Sequence, residues 1–219
     1  MKPFSLSPSS LKLFQECPRC FWLSLVKKIK RPSGAFPSLA SGMDKILKEH
    51  FDRFMERKAL PPELAHLHGY TLFDDKELLK TWRNNFKGVA YTEEKSGIVL
   101  HGAVDNILVK GKKLVVLDYK TRGFPLKEDT HEMYRLQMDL YTFLLRKNGY
   151  RTEEYAYLLF YYPEKVLETG EVVFTTKLVK MDTSPERGET VFLEAVKVLQ
   201  GEMPEAADGC EWRTYCREN

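Results

Sequence analysis

Three ionisable residues lie close together in residues 101–121, which read HGAVDNILVKGKKLVVLDYKT. Asp105 and Asp118 each fall in a strand-like apolar run, and Lys120 follows the second acid by two residues. Asp118 ends the run LVVL, and a buried strand that ends in this way delivers a carboxylate to a site at its end. The sequence therefore predicts an acidic site with an ammonium group at its flank.

A tight turn is predicted between the two strands, and it sets the spacing of the acids. A type II′ turn centred on Gly111 and Lys112 places Asp105 directly opposite Asp118. A turn centred one residue earlier makes the two acids diagonal neighbours. Both registers put the acids on one face of the sheet, because side chains alternate along a strand, and Lys120 joins that face.

Directly opposed like charges destabilise a sheet, so the repulsion between Asp105 and Asp118 must be offset. A raised pKa on one acid, the ammonium group of Lys120 or a divalent cation would do so. Two carboxylate ligands with open positions suit Mg²⁺ or Mn²⁺, which keep waters and take substrate phosphate oxygens. The alternative is that both acids lie at solvated strand ends, with Lys120 as a surface counter-charge.

The surrounding patterns predict an α/β fold in which helices flank a mixed sheet. Helical spacing and capping signals predict helices over residues 7–28, 43–58, 75–87, 128–149 and 184–200. Strand patterns occupy 96–109, 112–121, 154–162 and 171–180, and residues 31–42 are predicted to form a loop.

Length and composition indicate a single domain spanning residues 1–219. A hydrophobic share of 43% and a charged share of 30% are those of a soluble globular protein. The net charge of +3 is too small to indicate a polyanionic partner by itself. Since no long apolar run or signal peptide is found, we expect no membrane partner and a cytoplasmic, reducing location.

The four cysteines are divided between the two ends of the chain. Cys17 and Cys20 form a C-x2-C pair, and Cys210 and Cys216 form a C-x5-C pair. Four thiolates suffice for a tetrahedral zinc or a cubane iron–sulfur cluster. The alternative is four unrelated thiols packed as small hydrophobic groups.

Several motifs resemble the PD-(D/E)XK nuclease superfamily, and its RecB-type exonuclease branch in particular. GAVDNILV followed by VVLDYKT resembles motifs II and III, and Gln137 with Tyr141 matches the Gln-x-x-x-Tyr signature of that branch. SPSSLKLFQECPRCFWL resembles the helix that opens many of these domains. The matches run from residue 5 to residue 141 in the family's order. The resemblance implies a restriction-endonuclease-like core with a central mixed sheet.

The resemblance also implies residue roles in divalent-metal hydrolysis of DNA. Asp105 and Asp118 would ligate the metal, helped by the backbone carbonyl of Tyr119. Lys120 would orient or help deprotonate the attacking water, or stabilise the charge of the transition state. Gln137 would position the nucleic acid or brace Lys120.

Tyr141 would share the role of Gln137, because the two residues lie four apart on one helix face. Packing within the helix is the alternative for both side chains.

One departure from the branch concerns the early helix. RecB-type members usually carry a His four residues after a Gly, and counting from Gly42 gives Ile46. Asp44 is the preferred substitute, while His50 falls on the apolar stripe and is interpreted as a packed residue. Without a substitute, the site has two side-chain ligands and either binds metal more weakly or has altered activity.

The resemblance extends to the cysteines, because some RecB-type relatives, among them AddB-like nucleases and the CRISPR-associated accessory exonucleases, hold a 4Fe–4S cluster. It implies that segments 1–35 and 201–219 pack together around Cys17, Cys20, Cys210 and Cys216. Zinc is the alternative metal.

The leading hypothesis is a metal-dependent exonuclease for single-stranded or end-bearing DNA that is used in DNA repair. Its expected partners are other repair, recombination or CRISPR proteins. The alternative hypotheses are a nucleic-acid-binding subunit with weak or no catalysis, and a zinc-stapled protein without DNA chemistry.

Overall fold

The structure is a computed structural model that describes residues 4–32, 34 and 36–212. Its helices are α1 (Pro8–Glu16), α2 (Pro18–Trp22), α3 (Ser38–Glu56), α4 (Lys76–Trp82), α5 (Arg135–Lys147) and α6 (Pro185–Gln200). Its strands are β1 (Ser5–Leu6), β2 (Tyr70–Leu72), β3 (Val89–Thr92), β4 (Val99–Gly102), β5 (Asn106–Lys110), β6 (Lys113–Thr121), β7 (Tyr155–Val166) and β8 (Val172–Asp182).

The strands form two sheets. The larger sheet has the order β2-β5-β6-β7-β8, in which β6 and β7 are parallel and the other neighbours are antiparallel. The smaller sheet has the order β1-β4-β3, with β1 parallel to β4. The predicted α/β fold with a mixed sheet is therefore confirmed.

Strand β6 lies in the middle of the larger sheet and is buried on both faces. On one face the ring of Tyr119 packs against Phe51 of α3, with their centroids 4.6 Å apart. On the other face, Asp118 accepts a hydrogen bond from Gln137 of α5 at 3.4 Å. Helices thus cover both sides of this strand, which explains why its sequence is a continuous apolar run.

The hairpin between β5 and β6 adopts the first of the two registers considered from the sequence. Lys110 pairs with Lys113, and Gly111 has a φ of 59°. A positive φ at the first central position is what a type II′ turn requires. The register continues to Asn106 opposite Leu117 and so sets residue 105 against residue 118.

The helix termini follow their capping residues. Ser7 caps α1 with a reciprocal pair of hydrogen bonds to Ser10, and Ser184 caps α6, in which proline occupies the first turn. In α3, Leu47, Phe51 and Met55 are buried at a spacing of four residues. In the part of the chain that is described, no helix combines the length and apolar character needed to span a bilayer.

Three predicted boundaries are wrong, and three short strands were not predicted. The predicted strand 96–109 is two strands in different sheets, because the chain crosses between sheets after Gly102. Part of the predicted loop 31–42 is helical, since α3 begins at Ser38. The helix predicted from residue 128 begins as a 3₁₀ turn, Thr130–Tyr134. Finally, β1, β2 and β3 are two to four residues long, too short for an alternating pattern to predict them.

Candidate active site

Asp105 lies where the chain passes from the smaller sheet into the larger one, directly before β5. Its Oδ2 accepts a hydrogen bond from the backbone N–H of Tyr119 at 2.9 Å. Its backbone carbonyl accepts one from Nε of Arg83 at 2.7 Å, and Nη1 of Arg83 pairs with Asp52 of α3 at 2.7 Å. Asp105 is therefore held through both its carboxylate and its backbone.

Asp118 is a buried acid, with only 1% of its surface exposed. Its Oδ2 forms an ion pair with Lys120, and its Oδ1 accepts the hydrogen bond from Gln137. Burial raises the pKa of Asp118 to about 7; Lys120 opposes this rise, and the negative charge of Asp105 adds to it. The two acids are thus electrostatic neighbours, as the hairpin register predicts.

Lys120 is enclosed by partners. Its Nζ donates to Oε1 of Gln137 at 3.1 Å and lies 4.6 Å from the centre of the Tyr134 ring. Burial alone would lower the pKa of Lys120, but the charges of Asp118 and Asp105 outweigh burial and raise it. The side chain is therefore an ammonium ion at neutral pH.

Gln137 and Tyr141 project from the same face of α5 into this network. The Nε2 group of Gln137 donates to the hydroxyl oxygen of Tyr141 at 2.8 Å. The Tyr141 ring lies so close to Gly102 that a Cβ there would stand 2.7 Å from a ring carbon. The structure therefore brings together Asp105, Asp118, Lys120, Gln137 and Tyr141.

The α3 side of the site differs from the arrangement expected. Asp44 does not contact Asp105 directly: its Oδ2 accepts a hydrogen bond from Lys48 at 2.8 Å, and the same ammonium group lies 3.2 Å from Oδ1 of Asp105. Ile46 is 54% exposed. His50 contacts Glu63 at 3.1 Å, in keeping with its interpretation as a packed residue.

Sequence reasoning missed Lys48 and Arg83. The i,i+4 spacing of Asp44 and Lys48 on a helix was a usable signal, since such pairs contact each other. Arg83 had no comparable signal, because it follows α4 and meets Asp105 only through the tertiary fold.

The whole chain was compared with models of protein families. The model of the PD-(D/E)XK nuclease superfamily matches residues 5–217, which is nearly the full length. The chain belongs to the PD-(D/E)XK nuclease superfamily. A search of curated proteins gave no match.

PD-(D/E)XK nucleases use divalent metal ions, and the acids of this chain fit such an ion. Among the described residues, the buried Oδ2 of Asp118 has no donor beyond its ion pair with Lys120. Oδ1 of Asp105 likewise faces an ammonium group, that of Lys48. Carboxylate oxygens balanced only by ammonium groups are suitable ligands for a hard cation such as Mg²⁺.

A groove of about 750 Å³ adjoins the acids, and Gln137 and Tyr141 lie in its wall. Its other walls include the start of α1 and residues from α5 and α6. Asp105, Asp118 and Lys120 do not line it, so the groove leads past the acids rather than containing them. Its basic side chains are Lys12, His101, Arg135 and Arg187, and its acidic ones are Glu132 and Asp139.

Three cysteines form a second candidate metal site. The Sγ atoms of Cys17, Cys20 and Cys210 lie within 4.8 Å of one another, and those of Cys20 and Cys210 are 3.6 Å apart. Cys216, the fourth predicted ligand, lies outside the described residues. The structure thus brings the two ends of the chain together at thiols that a metal could bind.

The thiols differ in acidity. Burial raises the pKa of Cys17, but hydrogen bonds from the backbone of Cys20 and Ala207 outweigh burial and bring it down to about 7. Burial raises the pKa of Cys20 to about 12, although Arg31 lies beside it. Since metals bind thiolates, the backbone N–H groups around Cys17 favour the form of this side chain that a metal binds.

Proposed function

We propose that this PD-(D/E)XK nuclease is a metal-dependent exonuclease of the RecB-type branch that acts on single-stranded or end-bearing DNA. The observation that carries the proposal is the hydrogen-bonded group of Asp118, Lys120 and Gln137 next to Asp105. These are the residue types that phosphodiester hydrolysis needs: ligands for a hard cation and a fixed ammonium group.

In the proposed mechanism, Asp105 and Asp118 would hold one divalent cation, with the backbone carbonyl of Tyr119 as a further ligand. Such a cation would supply Lewis acidity and lower the pKa of a water at the site. The ammonium group of Lys120 orients the attacking water and donates hydrogen bonds to the charge that develops on the phosphate. Hydrolysis forms one P–O bond to the water oxygen and breaks one P–O ester bond, whose oxygen leaves with a proton.

Gln137 and Tyr141 act as positioning residues in this proposal. Gln137 accepts from Lys120 and donates to Tyr141, so it fixes the direction in which the ammonium group points. The groove beside them accommodates the DNA strand, because the exposed Lys12 in its wall can contact a phosphate. Arg135 and Arg187, in the same wall, are paired with Glu132 and Asp139.

The test is cleavage of end-labelled single-stranded DNA in Mg²⁺ or Mn²⁺. We expect the wild type to degrade the DNA. The cleavage rate should fall at least about 10²-fold in Asp118→Ala and in Lys120→Ala, as it does when a group that stabilises transition-state charge is removed. Glu168→Gln and Lys165→Ala, both on exposed parts of β7 and its turn, serve as controls. No turnover by the wild type in either metal refutes the proposal.

The alternative is a nucleic-acid-binding subunit with weak or no catalysis. The observation that favours it is the contact of Lys48 with both Asp44 and Asp105, which leaves the site without an uncompensated third acid. A wild type that binds single-stranded DNA in Ca²⁺ but does not cleave it in Mg²⁺ or Mn²⁺ supports this alternative.

For the thiols we propose a 4Fe–4S cluster held by Cys17, Cys20, Cys210 and Cys216, consistent with a reducing compartment such as the cytoplasm. The alternative is zinc, because a tetrahedral ion with bonds of about 2.3 Å suits thiols as close together as these. Anaerobically purified protein that is brown and contains iron supports the cluster. Colourless protein with one equivalent of zinc refutes it. Partners in DNA repair, recombination or CRISPR pathways follow from the branch assignment.

A further inference from the structure

A second lysine lies at the acidic group, next to Asp105, whereas Lys120 pairs with Asp118. The ammonium group of Lys48 is 2.8 Å from Asp44 and 3.2 Å from Asp105. Lys48 also influences Asp118, since its positive charge counteracts the rise in the pKa of that acid. It therefore belongs to the same electrostatic group as the two acids.

Helix α3 fixes the position of Lys48. Its neighbour Leu47 and the residue three further on, Phe51, are buried in the core, and Phe51 packs on Tyr119 of β6. Only 22% of the Lys48 side chain is exposed. Lysine side chains usually extend so that the ammonium group stays in water. The helix instead directs the ammonium group of Lys48 towards the acids.

The charge balance limits how many metal ions the group can hold. Three carboxylates, Asp44, Asp105 and Asp118, surround two ammonium groups, while the nearby Arg83 is paired with Asp52. The group thus has one excess negative charge. One divalent cation leaves a single positive charge, which a phosphodiester neutralises. Two divalent cations leave three positive charges close together, and these charges repel one another.

We infer that Lys48 takes the place of a second metal ion, so that the site binds one divalent cation and Lys48 contacts a non-bridging oxygen of the scissile phosphate. Lys120 then contacts that phosphate from the side of Asp118, and Lys48 contacts it from the side of Asp105. This inference rests on the proposed nuclease function and adds a catalytic residue to it.

A purely structural Lys48 predicts the opposite behaviour towards metal. If Lys48 only holds Asp105 in place, its removal disorders a ligand and weakens metal binding. If Lys48 is a cation in the site, its removal takes away a repelling charge and strengthens metal binding, while cleavage slows. Metal affinity and turnover then change in opposite directions, which a structural role does not produce.

The experiment counts Mn²⁺ ions by electron paramagnetic resonance in DNA-free protein and measures cleavage at saturating Mn²⁺. The variants are Lys48→Met and, as a matched control, Lys45→Met, which removes an exposed lysine from the same helix. Lys48→Gln repeats the test with a polar side chain in case the methionine variant folds poorly. Asp118→Asn identifies the signal that belongs to the acidic site.

We expect one site-bound ion in the wild type, about tenfold tighter binding in Lys48→Met, and cleavage slowed about 10²-fold. Lys45→Met should match the wild type in both measurements. The inference is overturned if the wild type binds any number of Mn²⁺ ions other than one at this site. It is also overturned if Lys48→Met and Lys48→Gln bind Mn²⁺ more weakly than the wild type or cleave DNA as fast.

Failure of the nuclease proposal is distinguishable from failure of this inference. A wild type that binds Mn²⁺ but cleaves nothing refutes the nuclease function and, with it, the phosphate contact. A wild type that cleaves DNA but binds two ions refutes the role of Lys48 alone.

Discussion

At the scale of single residues, the chemistry of this nuclease depends on the burial of Asp118, which costs free energy. Burial favours the protonated form of a carboxyl group, and the pKa of Asp118, about 7, reflects that preference. Lys120 only partly offsets the cost. A divalent cation would offset it further, so the same feature that destabilises the metal-free protein favours metal binding.

This cost predicts the pH dependence of stability in the metal-free protein. The folded pKa of Asp118, about 7, lies above the unfolded value near 4, so the folded state binds more protons between these values. The free energy of unfolding should therefore fall by about 2–4 kcal/mol as the pH rises from 4 to 7. Urea unfolding in EDTA measures this.

Asp118→Asn is the control for that measurement. The asparagine side chain cannot ionise, so the contribution of residue 118 to the change in the free energy of unfolding with pH should disappear. An equal slope in the variant and the wild type would contradict the assignment to Asp118.

At the scale of elements, helix α5 has polar residues on two faces, and they make different contacts. Gln137 and Tyr141 lie on the face that points towards the acids. The other carries Asp139, which is fully buried and accepts hydrogen bonds from Nε of Arg187 at 2.6 Å and Nη2 at 2.8 Å. The N–H of Ser184 adds a third at 2.8 Å. The start of α6 is thereby fixed against the helix that lines the active site.

Removing Arg187 should destabilise the fold, because Asp139 would stay buried with a single remaining donor. For Arg187→Gln we expect a loss of about 2–4 kcal/mol, since breaking a buried pair is costly and this arginine is partly exposed. Urea unfolding of the metal-loaded protein measures the loss. The control is Glu189→Gln, which breaks a half-exposed pair with Lys147 between the same helices and should cost under about 1 kcal/mol. Equal losses in both variants would show that burial is not the cause.

The contact between β4 and α5 predicts a requirement for glycine at position 102. In Gly102→Ala the new Cβ would overlap the ring of Tyr141, which is only 4% exposed and cannot move into solvent. We expect about 1–3 kcal/mol of destabilisation and slower cleavage, because Tyr141 is hydrogen-bonded to Gln137. Thermal unfolding and the cleavage assay measure both effects.

Gly42→Ala is the matched control, since a Cβ at this position in α3 meets no atom within 4 Å. It should leave the protein as stable as the wild type or more stable, as alanine is the better helix former. Wild-type activity and stability in Gly102→Ala would contradict the packing argument.

At the scale of the whole molecule, the two ends of the chain meet at the thiols. Cys17 lies at the N-cap of the short helix α2, Cys20 lies within that helix, and Cys210 lies beyond α6. Leu23 and Trp212 pack in the same small apolar cluster. A metal bound there would close a loop of nearly the whole chain, and closing a long loop restricts the unfolded state strongly.

The cysteines should therefore contribute to global stability only when metal is bound. We expect Cys20→Ser to lower the free energy of unfolding by about 3–5 kcal/mol in metal-loaded protein. With Mg²⁺ and Mn²⁺ kept out of all samples, a strong chelator should produce the same loss in the wild type and no further loss in the variant. Denaturant unfolding with and without chelator measures this, and a chelator effect that persists unchanged in Cys20→Ser would contradict it.

The sequence by itself determined the local features of this protein. The apolar run before Asp118 predicts the strand, and the four-residue spacing of Gln137 and Tyr141 predicts their shared helix face. The glycine-containing turn predicts that Asp105 and Asp118 share a sheet face, whereas the choice between the two possible registers came from the structure. Each depends on backbone geometry over a few residues, where period and turn chemistry suffice.

The tertiary structure alone decided which distant residues complete the site. Arg83 reaches the backbone of Asp105, and Lys48 of α3 reaches its carboxylate, although no local pattern links either residue to that acid. The break of the predicted strand after Gly102 has the same origin, since β4 and β5 pair with different strands in two separate sheets. Contacts between remote segments depend on how all the elements pack at once, and a pattern read along the chain carries no information on that packing.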